Sequence, residues 1–186
     1  MNTIFYESLK NHNMLFSTIG TYETNITNIT KIILRHIKNS HKILIACNGG
    51  SAADAQHFAA ELVGRFQKNR RALPCIALTT DTSNITAIGN DFGFEQIFSR
   101  QVEALGNPGD VFIGISTSGN SANIIAAVEE ARKRQVYTIG LLGRDGGVLK
   151  DKVDHAVVIP HDVTARIQEA HIFILHYWAD MIERSI

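Results

Sequence analysis

His57 and Glu61 stand four residues apart in the run Gln-His57-Phe-Ala-Ala-Glu61. On a helix this spacing makes the two side chains neighbours on one face. An imidazole and a carboxylate so placed can share a divalent cation, and a carboxylate beside a reacting carbon can move a proton. The plainer alternative is a His–Glu pair on a solvated helix face. Just upstream, Asn48-Gly49-Gly50-Ser51 ends an apolar run and opens the helix that carries the pair. A second loop, Ser116-Thr117-Ser118-Gly-Asn-Ser121, does the same after another apolar run. Ser51 and Ser121 fall where helix N-caps are expected. Hydroxyls, glycines and the free N–H groups of a helix start suit a phosphate ester. Each loop alone is also an ordinary tight turn, but two of them at strand ends point to a phosphorylated ligand. Neither contains G-x-x-x-x-G-K-[ST] or G-x-G-x-x-G, which argues against nucleoside triphosphates and dinucleotides.

Gln168, His171 and His176 lie in a C-terminal segment of Ile, Phe, Leu, Tyr and Trp that is apolar almost all round. Such a helix is buried, and its polar side chains need partners. It also asks for more cover than one small sheet provides, which points to an oligomer. Gln168 and His176 are separated by about 12 Å of helix rise. One ion touches both only from between them with both side chains extended; a subunit interface is the other way to bring such parts together. His171 reads as a hydrogen-bonded core histidine. Arg65, about one turn after Glu61, can meet a phosphate or a carboxylate. Asn90-Asp91 reads as a polar turn between helices, and Arg144-Asp145-Gly146-Gly147 as a turn after a strand.

The surrounding pattern predicts the elements that must position these residues. Apolar residues at helical spacing predict helices over 4–19 and 23–39. Short aliphatic runs predict strands over 42–46, 74–79, 110–115, 136–142 and 155–159. Further helices are expected over 51–66, near 82–89 and 94–105, over 121–134 and from 163 to 184. Strands alternating with helices, and lacking polar alternation, imply a parallel sheet covered on both faces. The expected fold is a three-layer α/β/α sandwich with a central parallel five-stranded sheet and an N-terminal helical hairpin. Residues 1–40 form the helical segment and residues 41–186 the α/β unit, with no Pro/Ser-rich linker between them.

The chain has 186 residues, 45% of them hydrophobic and 19% charged, enough for one packed domain. Eighteen basic residues balance eighteen acidic ones, so no basic excess marks a nucleic-acid binder. No apolar run reaches the length of a membrane span, and the N-terminus lacks the basic start and apolar run of a signal peptide. Cys47 and Cys75, in apolar surroundings and outside any C-x-x-C pair, read as reduced core thiols of a cytosolic protein.

Four stretches carry a resemblance to a known family: Asn48-Gly-Gly-Ser-Ala-Ala-Asp-Ala-Gln-His57-Phe-Ala-Ala-Glu61-Leu, Gly89-Asn-Asp-Phe-Gly-Phe94, Gly114-Ile-Ser-Thr-Ser-Gly-Asn-Ser121-Ala-Asn and Arg166-Ile-Gln168-Glu-Ala-His. Over residues 40–180 the chain resembles the phosphoheptose isomerases (sedoheptulose 7-phosphate isomerases) of the sugar isomerase (SIS) domain group. The resemblance implies a cytoplasmic homotetramer with active sites at subunit interfaces. It implies conversion of sedoheptulose 7-phosphate to D-glycero-D-manno-heptose 7-phosphate, the first step toward the nucleotide-activated heptose of lipopolysaccharide. It implies one zinc ion per subunit on His57, Glu61, Gln168 and His176, with Glu61 as base and His176 as acid. By the same resemblance Asn48, Gly49, Gly50, Ser51, Asn90, Asp91, Ser116, Thr117, Ser118 and Ser121 hold the sugar phosphate; Glu61, Arg65 and Gln168 complete the substrate set.

Such an isomerisation moves a proton between C1 and C2 through an enediol, which needs a carboxylate base and an acid near the carbonyl oxygen. One position departs from the family pattern: Cys47 stands where the family usually has glycine, which is expected to put a Cβ at the mouth of the site. The competing readings are a related SIS-domain protein that contacts a bacterial replication initiator, and a sugar-phosphate sensor without turnover. Relatives of the first kind tend to lack counterparts of Glu61 and His176. This chain has both, which favours the enzyme.

Overall fold

Aliphatic side chains fill both faces of five short strands: β1 (Ile43–Ala46), β2 (Cys75–Ala77), β3 (Val111–Ser116), β4 (Tyr137–Gly143) and β5 (His155–Ile159). The computed structural model describes residues 3–186; Met1 and Asn2 of the expected N-terminal segment lie outside them. The strands pair in parallel in the order β2-β1-β3-β4-β5. Alternation along each strand sends neighbouring side chains to opposite faces. Ile43, Ile45, Ile113, Ile115, Ile139 and Leu141 join one core cluster. Leu44, Ala46, Phe112 and Leu142 join the other. The expected three-layer sandwich is therefore what the chain forms.

Helices α1 (Thr3–Thr18), α2 (Glu23–Lys38), α3 (Gly50–Val63) and α7 (Thr164–Arg184) contribute to the first cluster. Helices α5 (Ser99–Leu105) and α6 (Ala122–Lys133) contribute to the second, with α4 (Thr82–Phe92) at its margin. Helix α2 buries Ile26, Ile29, Thr30, Ile33 and Ile37 along one stripe. It docks on α7, where the Trp178 indole N–H donates to the Ile26 carbonyl at 3.3 Å and the Thr27 and Tyr177 hydroxyls lie 2.8 Å apart. Helix α1 buries only Leu15. Much of the cover that α7 needs thus comes from its own chain.

Some boundaries differ from the sequence expectation. Helix α4 runs on to Phe92, so Asn90 and Asp91 lie on its last turn rather than in a loop. The helix expected over 94–105 is a 3-10 turn, Phe94–Gln96, followed by α5. Helix α3 stops at Val63, capped by Gly64, so Arg65 falls beyond its end. Ser51 is not an N-cap. Gly49 is, with φ +57, and Ser51 sits inside the first turn. The expectation failed because a side-chain cap was assumed where the turn needs a left-handed backbone that glycine adopts without strain.

His171 is fully buried on α7, with Nε2 3.1 Å from the Leu142 carbonyl. Burial lowers its pKa to about 4, partly opposed by that hydrogen bond. Above about pH 6.5 the imidazole is neutral in both folded and unfolded chains. As pH falls from there toward 4, the unfolded chain takes up a proton that the folded chain refuses, and stability is lost. Urea unfolding between pH 7 and 4.5 is expected to show a loss approaching roughly 3 kcal/mol from this group. His171→Gln, which keeps a donor for Leu142, is expected to flatten that limb; an unchanged pH slope would remove His171 as its cause.

Candidate active site

Helices α3 and α6 leave the sheet from neighbouring strands toward opposite faces, since β1 and β3 are adjacent. A crevice opens at such a switch point beyond the carboxyl ends of the strands. The loop after β1 enters it through Gly49. Its Asn48 exchanges two amide hydrogen bonds with Asn123 of α6, at 2.8 and 2.7 Å. The two loops are thereby fixed to each other. At Gly50 an added Cβ would come 3.0 Å from Gln168 Nε2, so glycine admits α7 to this corner.

The loop after β3 gathers hydroxyls. Ser116 Oγ lies 2.9 Å from Ser121 Oγ and 3.4 Å from Ser118 Oγ. Ser121 precedes α6 and uses its side chain here rather than to cap the helix. The loop is braced from behind by the turn after β4. Leu149 N–H donates to the Gly119 carbonyl and Val148 N–H to Asn120 Oδ1, both at 3.0 Å. A Cβ on Gly119 (φ +68) would fall 2.1 Å from the Gly146 carbonyl oxygen, so only glycine fits. Three hydroxyls and the first N–H groups of α6 thus face one small region, an arrangement suited to an oxyanion.

Along α3, His57 Nε2 lies 3.1 Å from Glu61 Oε1, as the four-residue spacing predicts. Helix α7 packs alongside and brings His176 Nε2 to 2.9 Å from His57 Nε2. The ligand atoms of His57, Glu61 and His176 all lie within 4.8 Å of one another. Two imidazole nitrogens and a carboxylate oxygen converging so closely is a donor set that fits a divalent cation such as zinc. Gln168, also on α7, turns its amide toward the start of α3. Its Nε2 donates to Ser51 Oγ at 3.1 Å, at the N-terminal end of α3.

Asn90 Nδ2 donates to Asp91 Oδ1, and no hydrogen bond joins either residue to the two loops. Arg65 is exposed and makes no hydrogen bond or ion pair among the described residues. Cys47 is buried in the first core cluster, with its Sγ 3.7 Å from the Asn48 carbonyl and in reach of the Ser51 side chain. Its backbone is not left-handed; Ser40, Gln135 and Arg144 are the non-glycine residues that are, among those described. No glycine is therefore required at position 47. Burial pushes its thiol up to about 12.

Two contributors escaped the sequence reading. Asn123 was part of a motif but had no assigned task. Asp54 lies between the loop and the trio: burial raises its carboxyl above the usual range, while the charges of His57 and His176 pull the other way. Its place three residues before His57 on the same helix was the available signal.

A SIS domain family model matches residues 7–143. The phosphoheptose isomerase of Geobacter metallireducens is 50% identical over 187 aligned residues, covering 100% of this chain and 99% of the relative. That of Nitratiruptor sp. is 60% identical over 154 residues, 83% of this chain and 82% of the relative. The solved structure of the phosphoheptose isomerase from Neisseria gonorrhoeae superimposes with a TM-score of 0.92 at 45% identity, covering 98% of this chain and 97% of that one. Full-length identity and a shared fold, joined to the trio and the hydroxyl loop, place the chain in the SIS domain family, among the phosphoheptose isomerases.

Proposed function

We propose that the chain interconverts sedoheptulose 7-phosphate and D-glycero-D-manno-heptose 7-phosphate, supplying a precursor of the heptose in lipopolysaccharide. The observation that carries this reading is the convergence of His57, Glu61 and His176, on a helix whose leading loop is tied to the hydroxyl loop through Asn48 and Asn123. The loop residues Ser116, Thr117, Ser118 and Ser121 hold the phosphate, with Asn48, Gly49, Gly50 and Ser51 across the crevice. The sugar extends from there to α3 and α7. Glu61 removes the proton from one of the two carbons, and His176 protonates the carbonyl oxygen as the enediol forms. Reversal of these roles at the neighbouring carbon completes the exchange.

His57, Glu61 and His176 would hold zinc, with Gln168 as a fourth ligand through its amide oxygen. Bound there, zinc supplies a Lewis acid for the carbonyl and a counter-charge for the enediolate. Tetrameric assembly is supported by α1, where Ile4, Phe5, Tyr6, Leu9 and Met14 are exposed in the single chain. Neighbouring subunits would bring Arg65, Asn90 and Asp91 to the substrate, since the single chain ties none of them to the loops. No helix among the described residues is long and apolar enough to cross a membrane, in line with a cytoplasmic enzyme.

Four measurements test the reading. Light scattering at micromolar concentration is expected to give a tetramer; a stable monomer would remove the shared site. Ser116→Ala combined with Ser118→Ala is expected to raise KM more than it lowers kcat, because phosphate contacts are largely uniform binding. An unchanged KM would argue that the loop does not hold the phosphate. Glu61→Gln is expected to lower kcat by about 10²–10⁴-fold with zinc largely retained, whereas His176→Ala should lose activity and zinc together. In the wild type, solvent deuterium should enter at C1 or C2 during turnover. Near-normal turnover of zinc-loaded Glu61→Gln would show that Glu61 is not the base.

A further inference from the structure

Glu183 is an acidic residue in the interior, two turns beyond His176 on α7, with only 1% of its side chain exposed. Its carboxylate accepts three backbone N–H bonds, from Phe66 at 2.9 Å and from Gln67 and Lys68 at 2.7 Å. Arg70 Nε lies 3.4 Å from Glu183 Oε1, a charge contact rather than an aligned hydrogen bond. Burial alone would raise this carboxyl. The three N–H donors and Arg70 outweigh it, and the group is held below the usual glutamate range. Glu183 is therefore an anion fastened to the segment that follows α3.

Two arms lead from it to the site. Arg70 caps the end of α3: it donates to the carbonyls of Glu61 at 2.6 Å and Leu62 at 2.7 Å. The first of these belongs to the residue whose side chain faces His57. Phe66, whose N–H is on Glu183, sets its ring 5.9 Å from the ring of His176, tilted by 35°. The contacts close a circuit from the Glu61 backbone through Arg70, Glu183, Phe66, His176 and His57 to the Glu61 carboxylate.

We propose that Glu183 is a positioning residue that sets Glu61 and His176 against each other through Arg70 and Phe66. The proposal builds on the functional reading of the trio given above. A stability role alone does not explain the charge, since buried ion pairs are often replaceable by apolar residues at no loss. What a carboxylate adds is directional demand. Its two oxygens fix three N–H groups and a guanidinium at once, and so fix where α3 ends relative to α7.

The test compares Glu183→Gln and Arg70→Lys with Val128→Ala, a cavity variant in the opposite core cluster that serves as the stability control. The first readout uses no metal and no substrate: the nuclear Overhauser contact between the His57 and His176 rings, whose centroids are 4.9 Å apart, in histidine-labelled, metal-free protein. The second is zinc titration, and the third kcat against KM. Glu183→Gln is expected to lose the ring contact and to weaken zinc binding and kcat by about 10–100-fold, as for other outer-shell partners. KM should change little. Arg70→Lys should move the same way, and Val128→Ala should keep all three at a comparable loss of thermal midpoint. A folded Glu183→Gln that keeps the ring contact and wild-type zinc affinity overturns the proposal, as does Val128→Ala moving them equally. If Glu183→Gln does not fold, Phe66→Leu reads the arm to His176 with Glu183 in place; an unchanged ring contact there is equally fatal. A wild type that fails to isomerise sedoheptulose 7-phosphate overturns the functional reading, and the ring contact still decides the positioning claim.

Discussion

The site depends on one packing contact, that of α3 against α7. The two helices run in the same direction, and α3 with the segment that follows it meets α7 at three levels. Ser51 meets Gln168 at the start, His57 meets His176 in the middle, and Glu183 receives the N–H groups of 66–68 at the end. Apolar contacts fill the intervals, with Phe58 against Trp178 at 6.3 Å and Ala55, Ala59, Ala170 and Ala179 buried nearby. Small side chains let the axes approach closely enough for imidazoles to meet. A shift of α7 by one residue would rotate His176 by about 100° away from α3, so the chemistry is held by register rather than by any single bond.

The sheet supplies the other half. Because α3 and α6 depart to opposite faces from adjacent strands, their N-termini face one crevice without competing for space. Each loop then needs a feature that the other lacks. The first needs a left-handed Gly49 and an open Gly50, through which α7 reaches Ser51. The second needs the close approach of Gly119 to the turn after β4. The Asn48–Asn123 pair ties the loops across the crevice, so the two cannot drift apart independently.

How much of this was legible follows from how local each feature is. The strands read as aliphatic runs because both faces are covered, and the His57–Glu61 pair read from helical spacing alone. His176 stood out with Gln168 as a polar residue on an apolar helix, but its meeting with His57 was not legible, since the two are 119 positions apart and no periodicity encodes that register. Gln168 and His176, separated by about 12 Å of helix rise, meet different parts of α3, its start at Ser51 and its middle at His57. The Ser51 cap failed because the turn is governed by the backbone of Gly49. At Cys47 the backbone is one that any residue adopts, which answers the conformational half of the expectation for glycine there. Glu183 and Arg70 were invisible as a pair, because their bond joins chain segments that sequence analysis treats separately.

The trio also constrains its own proton count. His57 Nε2 lies within hydrogen-bond distance of both Glu61 Oε1 and His176 Nε2. If His57 Nε2 carries a proton, it serves two acceptors, and His176 Nε2 must be bare. If His57 Nε2 is bare, its lone pair faces the Glu61 oxygen with nothing between them. Protons on both Nε2 atoms would set two donors against each other at 2.9 Å, so at least one of the two nitrogens is bare. The arrangement is therefore short of donors and rich in lone pairs. Asp54 adds a second carboxylate within range of both imidazoles. A divalent cation satisfies lone pairs and negative charge together, whereas a single proton leaves part of each unmet. A bound cation would share its charge among His57, His176 and Glu61, with Asp54 as a second carboxylate close by.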